Sequence, residues 1–398
     1  MINSTLCYIK KDNEYLLLFR DKKENDVNEC KWVGVGGKFE EGESADECLL
    51  REVKEETGLT LTHYTFHGVV NFYSDKWEDE AMYLYSADAF EGDLVADCPE
   101  GTLKFVPEED VLSLPTWEGD KYFLKELLKG TQNLDMSLYY EGDNLVAMRN
   151  KNYATFGKGE KVLVIVPGIS LLPVSPGIMG LREAYKVFED EYTVYVVDRK
   201  PGIQKGYLIG QMAEDVYEIL RENDIKKANL FGVSQGGIIV LKLALKHPEI
   251  VEKVAVCSSL IKIYPGYKEK LSYWADLARE NKREELIDSF LDHVYSEATL
   301  KAYKSVIVDS FKDATDADFM QFANMTDTFE DVDISENMKE LKAPLFVVGC
   351  EGDKAIPPEA LQDLIPYATE HLVYDSTYGH AVYDEAPDIK IKLKNFFD

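Results

Sequence analysis

Up to about residue 150, apolar positions alternate with polar ones or recur at helical spacing; beyond it they come in short unbroken runs. Ser4–Ile9 and Tyr15–Phe19 read as two strands joined across the charged turn Lys10–Asn13, and stretches near His67–Tyr73 and Ala81–Ala87 as two more. A helix is expected between these pairs. Ser44 followed by Glu47 forms a capping box that starts it at Ala45, and Gly58 supplies a left-handed stop. Leu49, Leu50 and Val53 share the sector expected to face a core. A helix near Lys121–Leu128 follows, then a hairpin of Met136–Tyr140 and Leu145–Arg149 around Glu141-Gly142-Asp143-Asn144.

After that the pattern changes. Val162–Val166, Thr193–Val197, Ala228–Phe231, Lys253–Cys257, Leu345–Val348 and His371–Tyr374 are short apolar runs, each ended by Gly, Pro, Asp or Ser. Such runs alternating with helical stretches indicate a parallel sheet covered on both faces. Residues 265–335 interrupt the rhythm with charged helical sequence (Tyr267–Glu280, Arg283–Tyr295, Ala298–Phe311) and read as a helical lid. Two domains are expected, 1–150 and 151–398.

Size and composition narrow the possibilities. A chain of 398 residues, 45% hydrophobic and 12% aromatic, is long enough for two cores and is globular. The net charge of −29 is shared by both halves and repels polyphosphate, which argues against nucleic acid or an anionic membrane as partner. A small nucleotide delivered with a divalent cation remains acceptable. The six cysteines have no CxxC spacing, and Cys257 and Cys350 sit in apolar runs as reduced, buried thiols. With no signal pattern and no long apolar run, a cytoplasmic location is expected. The oligomeric state is not readable.

The chemistry of the first half is concentrated between Gly37 and Leu59. Gly37, Glu43 and the run Arg51-Glu52-Val53-Lys54-Glu55-Glu56-Thr57-Gly58-Leu59 stand at fixed offsets. Glu52, Glu55 and Glu56 fall within an arc of roughly 100° on the expected helix. Carboxylates so spaced repel one another, and a hard divalent cation reverses that repulsion. A solvated acidic face is the ordinary reading of such a run, but seven demanded identities are too many for it. Gly34-Val35-Gly36-Gly37 alone would be a weak phosphate-loop signal.

This stretch resembles the Nudix box, and residues 1 to about 150 look closest to the MutT-like hydrolases of oxidised purine nucleoside triphosphates. The resemblance implies an α/β/α sandwich that binds Mg²⁺ (or Mn²⁺) through Glu52, Glu55, Glu56, the backbone carbonyl of Gly37 and Glu100, with Glu52 as base and Glu56 as the strongest ligand. It also implies that Lys38 contacts phosphate, that Trp32, Phe72 and Trp117 bind the purine, and that Asp120 accepts hydrogen bonds from its edge. Arg51 is expected to be structural, paired with Glu43. The mammalian branch carries Asn where this chain has Val33 and a second Asp where it has Gly119, so two polar readers of the base are missing.

In the second half, Gly232-Val233-Ser234-Gln235-Gly236 is a G-x-S-x-G sequence between the strand Ala228–Phe231 and the apolar helix Gly237–Leu245, the context of a nucleophile elbow. Asp353 and His380 follow in order, each after a strand, with Glu351 as a rival acid. This resembles the α/β-hydrolase superfamily over residues 151–398. It implies Ser234 as nucleophile, His380 as base, Asp353 as its orienter, and an oxyanion hole from the backbone N–H groups of Ile169 and Gln235. No histidine shows metal spacing such as HExxH.

The expected fold class is therefore α/β: a Nudix α/β/α sandwich followed by an α/β-hydrolase fold with a mostly parallel sheet and helical lid. The expected function is two hydrolases in one chain, one for a nucleoside triphosphate of the 8-oxo-dGTP kind, one for an acyl or ester substrate. Two alternatives stay open: the first half as a nucleotide sensor regulating the second, or the second half as a non-catalytic interaction domain.

Overall fold

The computed structural model describes residues 1–22 and 26–398. The chain divides into two compact units, Met1–Lys151 and Asn152–Asp398.

The first unit contains strands β1 (Ile2–Lys11), β2 (Glu14–Phe19), β3 (Trp32–Val33), β4 (Thr60–Ser74), β5 (Glu80–Glu91), β6 (Thr102–Pro107), β7 (Leu134–Glu141) and β8 (Asn144–Asn150), with helices α1 (Ala45–Thr57) and α2 (Asp120–Leu128). Their lateral order is β8-β7-β4-β5-β1-β2-β3, and β6 also pairs with β2. β1 runs parallel to β5 and β4 parallel to β7; β1/β2, β2/β3, β2/β6, β4/β5 and β7/β8 are antiparallel.

Helix α1 is built as its sequence demands. Ser44 accepts the Glu47 N–H while the Glu47 carboxylate takes the Ser44 N–H at 2.9 Å, and Gly58 ends the helix at φ 77° with its N–H on the Lys54 carbonyl at 3.0 Å. Leu49 and Val53 are fully buried against Cys7, Ile9, Leu16, Val35 and Tyr85, and each contributes about 1.5–3 kcal/mol by leaving water. Leu50 does not join them: it is 39% exposed. One residue on from Leu49 is a rotation of about 100°, enough to carry it off a stripe only as wide as the Leu49–Val53 pair.

The second unit contains β9 (Tyr153–Phe156), β10 (Lys161–Val166), β11 (Tyr192–Val197), β12 (Ala228–Val233), β13 (Val251–Cys257), β14 (Leu345–Cys350) and β15 (Glu370–Tyr374). Its helices are α3 (Ile178–Ala184), α4 (Ile209–Glu222), α5 (Gln235–Lys246), α6 (Pro265–Arg279), α7 (Arg283–Val294), α8 (Glu297–Asp309), α9 (Asp316–Thr326), α10 (Pro358–Leu364), α11 (Val382–Glu385) and α12 (Ile389–Phe397). The order β9-β11-β10-β12-β13-β14-β15 is parallel throughout except for β9, which runs against β11. From β10 the chain passes first to β11 on one side and then to β12 on the other. That reversal opens a crevice at the carboxyl ends of β10 and β12, where ligands of open α/β sheets bind. Helices α6 to α9 form the insertion between β13 and β14. Among the described residues no helix is long and apolar enough to cross a membrane.

Candidate active sites

In the first unit the carboxylates of α1 meet different surroundings. Glu56 is buried, its Oε2 accepts the Gly36 N–H at 3.1 Å, and Arg20 Nη1 stands 4.0 Å from its Oε1. Burial, then the Glu100 and Glu52 charges, lift its carboxyl to about 8, against the lowering by the Gly36 N–H and Arg20. Glu52 takes a hydrogen bond from Arg51 Nη1 at 2.7 Å and lies so close to Gly37 that a Cβ there would stand 2.3 Å from Oε1. Glu55 points outward, its side chain 62% exposed and 3.5 Å from Arg51. Arg51 grips Glu43 in a fork of two 2.8 Å bonds and ties itself to the Lys38 carbonyl at 3.1 Å. The pairing holds the Glu43 carboxyl down at about 2, the structural role expected of Arg51.

Two metal-ligand expectations change. The Gly37 carbonyl is turned inward, accepting the Thr5 N–H at 2.9 Å and the Cys48 thiol at 3.5 Å, so its lone pairs are engaged in the fold. Glu55 is mostly exposed beside Arg51 and is not among the residues that line the cavity, as Glu52 and Glu100 are. Glu100 is ion-paired to Arg20, which also holds Asp26 at 2.6 Å. Among the described residues no three His, Cys, Asp or Glu side chains already form a coordination shell.

Beside this cluster lies a cavity of about 500 Å³, the size of a nucleotide or drug-like ligand. Lys38, Glu52, Phe72, Glu100, Trp117 and Asp120 line it. Trp32 does not: adjacent strand residues point to opposite faces, so Val33 lines the cavity while Trp32 packs on Phe19 at 5.0 Å between ring centroids. Trp117 is fixed by Asn28, which accepts its Nε1–H at 3.0 Å, by Lys31 4.2 Å from its ring centre, and by Tyr140 edge-on at 5.6 Å. Asp120 is 6% exposed, and burial raises its carboxyl to about 7. The Tyr140 hydroxyl accepts the Gly119 N–H at 2.9 Å, and a Cβ on Gly119 would stand 2.5 Å from it. That hydroxyl fills the space a side chain at position 119 would need. Arg20, Asn28 and Tyr140 were not among the expected site residues. The one local cue was Arg20, a charge closing the apolar run Tyr15–Phe19.

In the second unit β12 delivers Ser234 and α5 begins one residue later. Ser234 has φ 53° and ψ −123°, and its carbonyl accepts from Ser259 Oγ at 2.8 Å. Both glycines of the motif are required by close approach: a Cβ on Gly232 would lie 2.4 Å from the Gly236 carbonyl oxygen, and one on Gly236 would lie 2.0 Å from that of Val166. A Cβ on Gly168 would stand 3.1 Å from Ser234 Cβ, so the Pro167-Gly168-Ile169 loop runs against the serine. Gln235 occupies the first position of α5, where a helix leaves its N–H without an intrahelical acceptor. His380, 5% exposed, donates from Nδ1 to Asp353 Oδ2 at 2.8 Å, while Asp353 Oδ1 accepts the Ala355 and Ile356 N–H groups at 2.8 and 2.9 Å. Glu351 is exposed, its N–H given to the Tyr374 carbonyl; it is Asp353 that meets His380. No direct Ser234–His380 hydrogen bond appears among the described residues, and such bonds often tighten only when substrate binds.

A carboxylate-bearing helix beside a nucleotide-sized cavity, followed by a strained serine elbow with an Asp–His pair, defines a chain built from two hydrolase classes. The NUDIX domain family matches residues 3–127 and the alpha/beta hydrolase fold family matches residues 197–387. An uncharacterized Nudix hydrolase of Bacillus subtilis (strain 168), YvcI, is 31% identical over 130 residues, 32% of this chain and 78% of that protein. The 3-oxoadipate enol-lactonase 2 of Acinetobacter baylyi is 22% identical over 247 residues, 61% of this chain and 89% of that one. The solved structure of MGS-M2, an alpha/beta hydrolase enzyme from a Medee basin deep-sea metagenome library, shares the fold with a TM-score of 0.56 at 19% identity, covering 62% of this chain and 94% of that one. The chain belongs to the Nudix hydrolase family through its first unit, fused to an α/β-hydrolase unit.

Proposed function

We propose that the first unit hydrolyses a purine nucleoside triphosphate of the 8-oxo-dGTP kind to the monophosphate and pyrophosphate with Mg²⁺ or Mn²⁺, and that the second cleaves an acyl substrate through Ser234. Glu56 carries the first half of this reading. Burial first, and the Glu100 and Glu52 charges after it, disfavour the ionised form of the Glu56 carboxyl, lifting it to about 8, and a divalent cation beside it would restore that form. Glu56 and Glu52 would hold it, with Glu100 joining once it gives up Arg20. The cation, when bound, supplies an acidified water and screens the phosphoryl oxygens. Glu52, oriented by Arg51 and Gly37, accepts the proton of the attacking water. Lys38 and Arg20 flank the phosphates, and Phe72 and Trp117 form walls for the base. Asp120, with its carboxyl near neutrality, can donate as well as accept at the base edge. Without polar side chains at Val33 and Gly119, discrimination among purines rests on Asp120 and is modest.

For the second half, His380 is oriented by Asp353 and takes the Ser234 proton as Oγ attacks the acyl carbon. The N–H groups of Ile169 and Gln235 receive the oxyanion.

Turnover of 8-oxo-dGTP and dGTP, followed by pyrophosphate release, tests the first half. We expect it with Mg²⁺, and a loss of at least about a hundredfold in Glu56→Gln or after chelation. Full-speed turnover by chelator-treated protein would sink the proposal.

A further inference from the structure

One polar group in the first unit's cavity takes no part in the catalysis proposed above. Tyr140, near the end of β7, lines that cavity together with Trp117 and Asp120. Leu138, two residues earlier and so on the same face of the strand, is fully buried. Both side chains close on Gly119, where a Cβ would stand 2.8 Å from Leu138 Cδ1 and 2.5 Å from the Tyr140 hydroxyl. Tyr139 turns to the other face and stacks on Tyr73, 4.9 Å between ring centroids. Tyr140 is fixed twice: Trp117 meets its ring edge-on at 81°, and its oxygen accepts the Gly119 N–H at 2.9 Å. A phenol oxygen engaged as acceptor has one O–H left to give, and among the described residues no acceptor takes it. Burial, then the Asp120 charge, keeps the phenol above its ordinary range, so it stays neutral and retains that proton. The Gly119 N–H that fixes the phenol precedes Asp120 by one residue, so phenol and carboxyl enter the cavity from neighbouring points of its wall.

We propose that Tyr140 is a specificity residue whose hydroxyl donates to a carbonyl oxygen of the base, selecting 6-oxopurine over 6-aminopurine nucleotides; this rests on the purine triphosphate reading above and adds to the modest discrimination that Asp120 gives alone. The edge of a 6-oxopurine sets the acceptor O6 beside the donor N1–H, which matches a phenol beside a carboxyl. A 6-aminopurine sets a donor, its amino group, beside the acceptor N1. In the same pose that amino group meets the phenol donor to donor. The phenol oxygen could receive it only by giving up the Gly119 N–H. Rejection then outweighs attraction, because a polar group left unpaired beside the wrong base costs more than its bond to the right one contributes. Asp120, with its carboxyl near neutrality, can donate or accept and so pairs with either edge. Tyr140 supplies the group of fixed sign.

The test uses the full chain with Mg²⁺ and two triphosphates, dGTP and its 2,6-diaminopurine analogue, which differ only at position 6 and in the N1 proton. We expect the wild type to favour dGTP by about ten- to a hundredfold in kcat/KM, mostly through KM. Tyr140→Phe keeps the ring and removes the hydroxyl. It should lose about that factor with dGTP and far less with the analogue, whose turnover also reports that the variant is folded, so the preference collapses. No wild-type preference for dGTP would overturn the proposal. So would a preference that Tyr140→Phe leaves unchanged, both nucleotides losing equally, which would mark the hydroxyl as a support for Gly119 alone. Wild-type protein that releases pyrophosphate from neither nucleotide would instead remove the triphosphate reading itself, and the proposal with it.

Discussion

At the scale of single residues, the first unit holds acidic groups in opposite circumstances. Glu43 is pinned in its charged form by Arg51, whereas Glu56 and Asp120 are buried where charge is costly. Asp120 gives a direct prediction. Its folded value of about 7 lies above the ordinary carboxylate value, so folding takes up a proton. The associated stability is fully present below about pH 4 and is lost as pH rises through about 7. Asp120→Asn removes this loss, so its stability relative to wild type should increase between pH 4 and 8, by up to about 4 kcal/mol. Urea unfolding at the two pH values reads the difference, because Glu56 titrates alike in both proteins; parallel pH profiles would refute the assignment. Much of the site was legible from local spacing: the capping box, the Glu52–Glu56 pair, Ser234, Asp353 and His380. Asn28 and Tyr140 were not, because long-range packing brings them in and no local pattern marks them, and Arg20 was marked only by its place at the end of an apolar run. Trp32 was misplaced because only the strand's facing, not its composition, separates it from Val33.

At the scale of elements, α1 shows how a helix can be read from its ends. Gly58 sits at φ 77°, and a Cβ there would stand 3.0 Å from the Asp93 carbonyl oxygen and from Val95 Cγ1. Gly58→Ala should cost about 1–2 kcal/mol and lower the first unit's melting temperature by about 3–6 °C, as followed by calorimetry. An unchanged transition would mean the cap contributes nothing. Strands were legible in proportion to their regularity. β10 to β14 are short, mostly buried and unbroken, and their runs mark them closely; β15 is as short but largely exposed. β4 was foreseen only near its second half, because register shifts at Leu61/His63, His63/Tyr64 and Phe66/Gly68 break the alternation by which a strand is read. β3, with two residues, and β9, with four, are too short to show a period. In the insertion, α6 to α8 followed the expected stretches within a few residues, whereas α9 had not been set apart from the connecting sequence.

At the scale of the whole molecule, the chain carries a net charge of −29 around its two candidate sites. Such a field disfavours long polyanions and is compatible with the small, cation-screened nucleotide proposed for the first unit. Each unit carries its own complete set of proposed catalytic residues. Glu56→Gln should therefore abolish nucleotide hydrolysis while leaving Ser234 labelling at wild-type rate, and Ser234→Ala should do the reverse. Equal loss of both activities in either variant would show that the two chemistries depend on each other. The backbone at Ser234 carries a further consequence. A left-handed conformation at a residue other than glycine costs on the order of 1–3 kcal/mol, which the surrounding strand, helix and the Pro167-Gly168-Ile169 loop must hold in place. Glycine would occupy that corner without penalty, so selection of this chain for endurance alone would drift toward a sturdier protein that has discarded its proposed nucleophile.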